Sequence, residues 1–181
     1  MNIILIINIC RERFHYFEFV RPIEEILTKN KIDYITRHYM EINEKDLEKA
    51  EKIIICGTSL KDNEFLEDID KFSWIKSIDK PILGICGGMQ VIGMVFGGKL
   101  NKKTEIGYFK ENFIDDFLGL KGEQEVYHLH NNYVEFGQEF EKFTDSKINQ
   151  AVKYNEKNIY GVLFHPEVRQ KKLISNFCLN N

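Results

Sequence analysis

The residues able to do covalent chemistry stand in two short stretches far apart in the chain. They are Gly84-Ile85-Cys86-Gly87-Gly88-Met89-Gln90 and Phe164-His165-Pro166-Glu167. A cysteine attacks as its thiolate, and an isolated thiol is mostly protonated at neutral pH. Apolar Ile82-Leu83 precedes the first stretch and Val91-Ile92-Gly93-Met94-Val95-Phe96 follows it, which predicts strand, sharp turn, helix. Cys86 then sits at a helix N-terminus, where the dipole favours an anion. His165 can serve as base and later as proton donor to a leaving amine. Glu167, two residues on, can orient the ring and stabilise the imidazolium. Glycines around Cys86 permit strained backbone angles and leave room beside the sulfur. The amides of Gly87 and of a loop at Gly57 could together receive an oxyanion. These parts suit acyl transfer through a cysteine nucleophile.

The elements that must position these residues follow from hydrophobic patterning. Residues 2–9 form a nearly continuous isoleucine-rich run, as in a strand covered on both faces. Residues 21–27 start a helix with Pro22 in its first turn and Ile23, Ile26 and Leu27 on one face. Residues 33–38 predict a second strand, 44–50 a short charged helix, and 52–56 a third strand ending at Gly57. Phe65, Ile69, Phe72 and Ile75 have helical spacing. This alternation predicts a parallel sheet with helices on both faces. Ligands of such sheets lie beyond the carboxyl ends of the strands, where Gly57 and Cys86 both fall. Beyond Gly97-Gly98, residues 101–136 read as short β-like pieces separated by glycine turns. Residues 150–154 and 159–164 flank a turn at 155–158, a hairpin signal, and residues 170–179 fit a closing helix.

The 181 residues are expected to form a single domain, 1–181, with 43% hydrophobic and 29% charged residues. A net charge of −3 offers no basic field for nucleic acid. No apolar run has the length that spans a bilayer, and no basic leader precedes the first strand. Cys10, Cys56, Cys86 and Cys178 are widely spaced with no C-x-x-C pair, which suggests neither a disulfide framework nor zinc and fits a reducing cytoplasm. His128 and His130 alternate on an expected strand, so one could be buried and the other exposed without any role.

With both stretches laid out, the chain resembles the class I, triad-type glutamine amidotransferases over nearly its whole length. The segment from Gly84 to Gln90 looks like their G-[IV]-C-x-G-[HM]-Q motif. Gly161-Val162-Leu163-Phe164-His165-Pro166-Glu167 looks like G-V-x-F-H-P-E. Glu105-Ile106-Gly107 resembles an E-x-G segment, and His130-Asn131-Asn132-Tyr133-Val134 resembles an H-x-x-x-V segment that helps hold the substrate. The resemblance implies an open, mainly parallel, flavodoxin-like sheet with a nucleophile elbow and a smaller β-rich second half.

It also implies a mechanism. Cys86 attacks the γ-carboxamide of L-glutamine, His165 protonates the departing ammonia, and water hydrolyses the thioester. Glu167 completes the triad, Gly57 and Gly87 supply oxyanion amides, and Gln90, Asn131, Asn132 and Tyr133 contact the substrate. No cofactor and no metal are implied. The chain lacks a G-x-x-x-x-G-K-[ST] phosphate loop, so the ammonia is expected to pass to a separate synthetase. The nearest match in size is the stand-alone glutaminase subunit of GMP synthase. A γ-glutamyl peptide hydrolase of the same fold is the alternative enzyme, and a non-catalytic binding or regulatory module is the alternative of another class. The presence together of Cys86, His165 and Glu167 argues against the latter, because no folding requirement demands all three.

Overall fold

In the computed structural model, residues 3–180 are described. The isoleucine-rich start gives strand β1, Ile4–Asn8; the expected strand position Asn2 lies outside the described residues. A short helix α1, His15–Phe19, leads into α2, Arg21–Lys29, with Pro22 in its first turn. Then come β2 (Tyr34–His38), α3 (Glu44–Lys49), β3 (Lys52–Ile55), β4 (Ile82–Ile85) and α4 (Gly87–Val95). The remainder holds β5 (Lys99–Phe117), β6 (Leu120–Glu135), β7 (Phe140–Lys142), β8 (Ala151–Tyr154), β9 (Ile159–Val162) and α5 (Lys171–Leu179).

Seven strands form one sheet in the order β2-β1-β3-β4-β9-β8-β7. From β2 to β9 the pairs are parallel; β8 and β7 close that edge antiparallel. Because successive strand residues point to opposite faces, the apolar strands bury both sides. Ile4, Ile6, Ile54, Leu83 and Ile85 face a layer containing α2 and α5. Leu5, Ile7, Ile53, Ile55 and Ile82 face Phe65, Phe72 and the apolar side chains of α4.

Two expectations are corrected. Residues 65–77 do not form an α-helix but two tight 3-10 segments, Glu64–Leu66 and Ile69–Lys76, whose buried Phe72 and Ile75 follow the three-residue repeat of that geometry. The short β pieces of 101–136 are instead two long strands paired as a separate antiparallel ribbon. Phe117 pairs with Leu120, and the two intervening residues, Leu118 and Gly119, have φ of +52° and +89°. Positive φ at both positions is the tight hairpin turn whose twist matches that of the strands. Exposed polar residues along the ribbon hide its length from an apolar-run reading.

Candidate active site

Cys86 follows β4 and caps α4 with φ +49° and ψ −102°. A side-chain-bearing residue in this region stores about 1–3 kcal/mol of backbone strain. The surroundings fix it: the Cys86 amide donates to Val162 O at 2.7 Å, and the Gln90 amide donates to Cys86 O at 3.0 Å. Parallel pairing of β4 with β9 carries the second stretch to the same end of the sheet. There the His165 amide donates to Tyr127 O at 2.8 Å, and His165 Nδ1 lies 2.7 Å from Glu167 Oε1. His165 Nε2 is buried and has no hydrogen-bond partner among the described residues. The loop after β3 joins them. A Cβ placed on Gly57 would lie 2.7 Å from His165 Cε1 and 3.3 Å from Cys86 Cβ, so only a residue without a side chain lets this loop pass so near both residues. Cys86, His165, Glu167, Gly57 and Gly87 are therefore brought together.

Burial is the largest single influence and works against a charged His165, but Glu167 and Cys86 together outweigh it through charge and hydrogen bonding. The ring is held well above its ordinary pKa. Burial holds the other three thiols in their protonated form. Burial is the leading cause that raises Cys10 to about 11 and Cys178 to about 12, and it also raises Cys56 well above the ordinary value.

The ribbon strand β6 roofs the site with its backbone. Besides Tyr127, Leu129 O accepts from Cys86 Sγ at 3.6 Å and Asn132 O accepts from Gln90 Nε2 at 3.1 Å. Asn131 Nδ2 donates to Leu60 O at 3.3 Å, and Asn132 Nδ2 donates to Asn63 Oδ1 at 3.1 Å. These bonds clasp the ribbon to the loop after β3. The cavity left beside Cys86, Gly87 and Gln90 is about 20 Å³, room for roughly one water. Asn131 and Asn132 line it; the Tyr133 side chain packs instead, half-buried, against the core.

Sequence reasoning missed two features. Buried Asp62 pins the loop after β3 by accepting from Thr58 Oγ1 at 2.8 Å and from the Arg11 amide at 2.6 Å; no pattern in the sequence marks it. His128 and His130 are both buried, because positions two apart on a strand share a face. His128 Nε2 lies 3.1 Å from Glu111 Oε1, and His130 Nε2 lies 3.0 Å from Glu105 Oε2. Burial, with the neighbouring His128, pushes His130 down to about 4 despite Glu105. The His-x-His pattern opposite Glu105 was the available signal.

The family described as glutamine amidotransferase class-I matches residues 15–180. The chain belongs to the class-I glutamine amidotransferases. Among its relatives, a subunit of the glutamine-hydrolyzing GMP synthase of Methanobrevibacter smithii is 37% identical over 103 residues, covering 52% of this chain and 54% of that protein. The glutamine-hydrolyzing GMP synthase of Staphylococcus aureus is 34% identical over 160 residues, 82% of this chain but 30% of that protein. The matches thus span about half of the first relative and under a third of the second. In fold, the chain is similar to a putative GMP synthase subunit of Thermoplasma acidophilum, with TM-score 0.86, 22% identity, and coverage of 98% of this chain and 92% of that one. A glutamine amidotransferase of Thermotoga maritima aligns with TM-score 0.73 and 20% identity over 97% of this chain and 82% of its own. The mixed α/β fold with a mostly parallel sheet and an antiparallel hairpin is that of class-I glutamine amidotransferases. No helix among the described residues of this family member is long and apolar enough to cross a membrane.

Proposed function

We propose that this chain is a single-domain glutaminase that hydrolyses L-glutamine and delivers the ammonia to a separate synthetase, of the GMP synthase type. The observation that carries the reading is the convergence of three sequence-distant parts. These are Cys86 strained at +49° on a helix N-terminus, His165 backed by Glu167 at 2.7 Å, and Gly57 so near both that an added Cβ would clash with the His165 ring.

In this reading Cys86 Sγ attacks the γ-carboxamide carbon, and the amides of Gly57 and Gly87 receive the oxyanion. The imidazolium of His165, favoured by Glu167, gives its proton to the departing ammonia. The ring, now neutral, takes a proton from water as that water attacks the thioester, and glutamate leaves with Cys86 restored. Gln90, Asn131 and Asn132 hold the substrate from the cavity wall. A cavity of about 20 Å³ is far too small for glutamine, so the clasp between Asn131–Asn132 and the loop of Leu60 and Asn63 must open for turnover. Docking of the synthetase would supply that opening.

Glutamate release by the purified chain, measured with and without an ATP-dependent GMP synthase component that lacks its own glutaminase, tests the reading. Glutamine turnover stimulated by that partner, together with glutamine-dependent GMP formation, is the expected result. Partner-insensitive cleavage of γ-glutamyl peptides in preference to glutamine would overturn it.

A further inference from the structure

The ribbon carries a buried cluster beside the candidate active site, in which His130 lines the cavity next to Cys86 while His128, Glu105 and Glu111 have no part in the steps proposed above. His128 and His130 project to one face of β6, and Glu105 stands directly opposite His130 on β5. One nitrogen from each ring and one Glu105 oxygen all lie within 4.8 Å of one another. The rings are 0% and 2% exposed, with centroids 5.4 Å apart and planes at 75°. Phe109 and Phe164 stand edge-on to His128 at 5.1 and 6.4 Å, walling that side against water.

The hydrogen bonding is asymmetric within each ring. Each Nε2 meets a carboxylate, Glu111 for His128 and Glu105 for His130. Each Nδ1 is buried without a hydrogen-bond partner among the described residues, and so is Gln150 Oε1 beside Glu105. An orphaned buried acceptor is costly. In His128, an Nε2–H donated to Glu111 leaves Nδ1 as an oriented lone pair, the arrangement found behind metal-ligating histidines; His130 instead faces Glu105 with Nε2, the nitrogen that would share an ion with that carboxylate. Around these acceptors stand Glu105 and Glu111; among the described residues the one cation paired with either is Lys103, 2.7 Å from Glu105 Oε1. Glu111 also accepts from the Ser146 hydroxyl, and Glu105 from Gln150 Nε2 at 2.9 Å.

We propose that His128, His130 and Glu105 form a binding site for a divalent transition-metal ion of the zinc type, with Glu111 orienting His128. Two imidazoles and a carboxylate make a borderline donor set suited to Zn²⁺ and unsuited to Ca²⁺ or Mg²⁺. Tetrahedral zinc with bonds of about 2.0–2.2 Å needs donor atoms roughly 3.3–3.5 Å apart, so the side chains close inward by about an ångström and Lys103 yields Glu105 to the ion. Tyr127 and Leu129, which touch His165 and Cys86 through their carbonyls, alternate with the two histidines on the same strand. The ion would therefore brace the segment that roofs the nucleophile. The metal site itself stands whether or not the proposed glutaminase reading holds.

The test reads metal, not turnover. The full chain, as its Cys86→Ala variant so that the nucleophile cannot capture the ion, is stripped with chelator and titrated with Zn²⁺, and separately with Co²⁺. Bound metal is measured by equilibrium dialysis, and the histidine rings are followed by NMR. The expected result is one equivalent per chain, tetrahedral d–d absorption with Co²⁺, and shifts confined to two of the five rings. His128→Asn and His130→Asn should each weaken binding at least about 100-fold, while His38→Asn should not. Should either ribbon variant fail to fold, the ring shifts in the parent chain decide. Uptake below roughly a tenth of an equivalent, or shifts at His15 or His38 in place of His128 and His130, would overturn the proposal.

Discussion

The parallel sheet and the β5–β6 ribbon meet at the same catalytic cysteine candidate but are built on opposite principles. The sheet's central strands are apolar on both faces and wholly buried, and they hold Cys86 by backbone pairing to β9. The ribbon is mostly exposed and polar, and holds Cys86, His165 and Gln90 through main-chain carbonyls. Rigid burial places the strained cysteine; a lightly packed ribbon, easier to displace, covers it. The division suits the proposed site, which in that reading opens for substrate yet keeps its geometry.

The contrast can be broken most severely from the sheet side. A Cβ on Gly88 would run into the Ile55 carbonyl, with its backbone carbon at 2.8 Å. Gly88→Ala should therefore cost at least about 4 kcal/mol, read as loss of the cooperative thermal transition. By contrast Ile106, 54% exposed on the ribbon, should tolerate serine within about 0.5 kcal/mol. Equal losses at the two positions would refute the division.

Between these extremes lie functional changes. Glu167→Gln removes the charge that favours imidazolium, so kcat should fall about 10²–10⁴-fold with the fold intact by circular dichroism. A buried histidine gives the ribbon its own pH dependence. In metal-free protein, His130 binds its proton only near pH 4 when folded, against an ordinary value of 6.5. The unfolded chain therefore holds more protons across that window, and stability falls as pH drops through it. The loss should be on the order of 3 kcal/mol, and urea denaturation of His130→Gln should show a flatter profile. A modest effect concerns the clasp. Asn63→Ala removes the acceptor of the Asn132 amide at a net of about 0.5–1.5 kcal/mol and leaves the substrate-holding Asn132 in place, which should raise partner-free glutamine hydrolysis up to about 10-fold.

Legibility in the sequence follows the same division. Continuous isoleucine runs and the glycine-flanked cysteine made the sheet and its elbow readable, because burial on both faces leaves a one-letter imprint. The 3-10 segments at Glu64–Leu66 and Ile69–Lys76 carried apolar spacing that also fits an α-helix, and tertiary packing chose the tighter form. The ribbon's length was invisible because its strands alternate polar residues with scattered aromatics. The closed clasp was equally hidden, since Asn131 to Leu60 and Asn132 to Asn63 join positions some 70 apart through contacts no local pattern encodes.

The most direct measurement is covalent capture by a glutamine-like electrophile, with the adduct located by mass spectrometry in the presence of the synthetase partner. The account predicts one label per chain, on Cys86, suppressed by excess glutamine and lost in His165→Ala. A label on Cys10, Cys56 or Cys178, or an unlabelled Cys86 under conditions that support glutamine-dependent product formation, would contradict it.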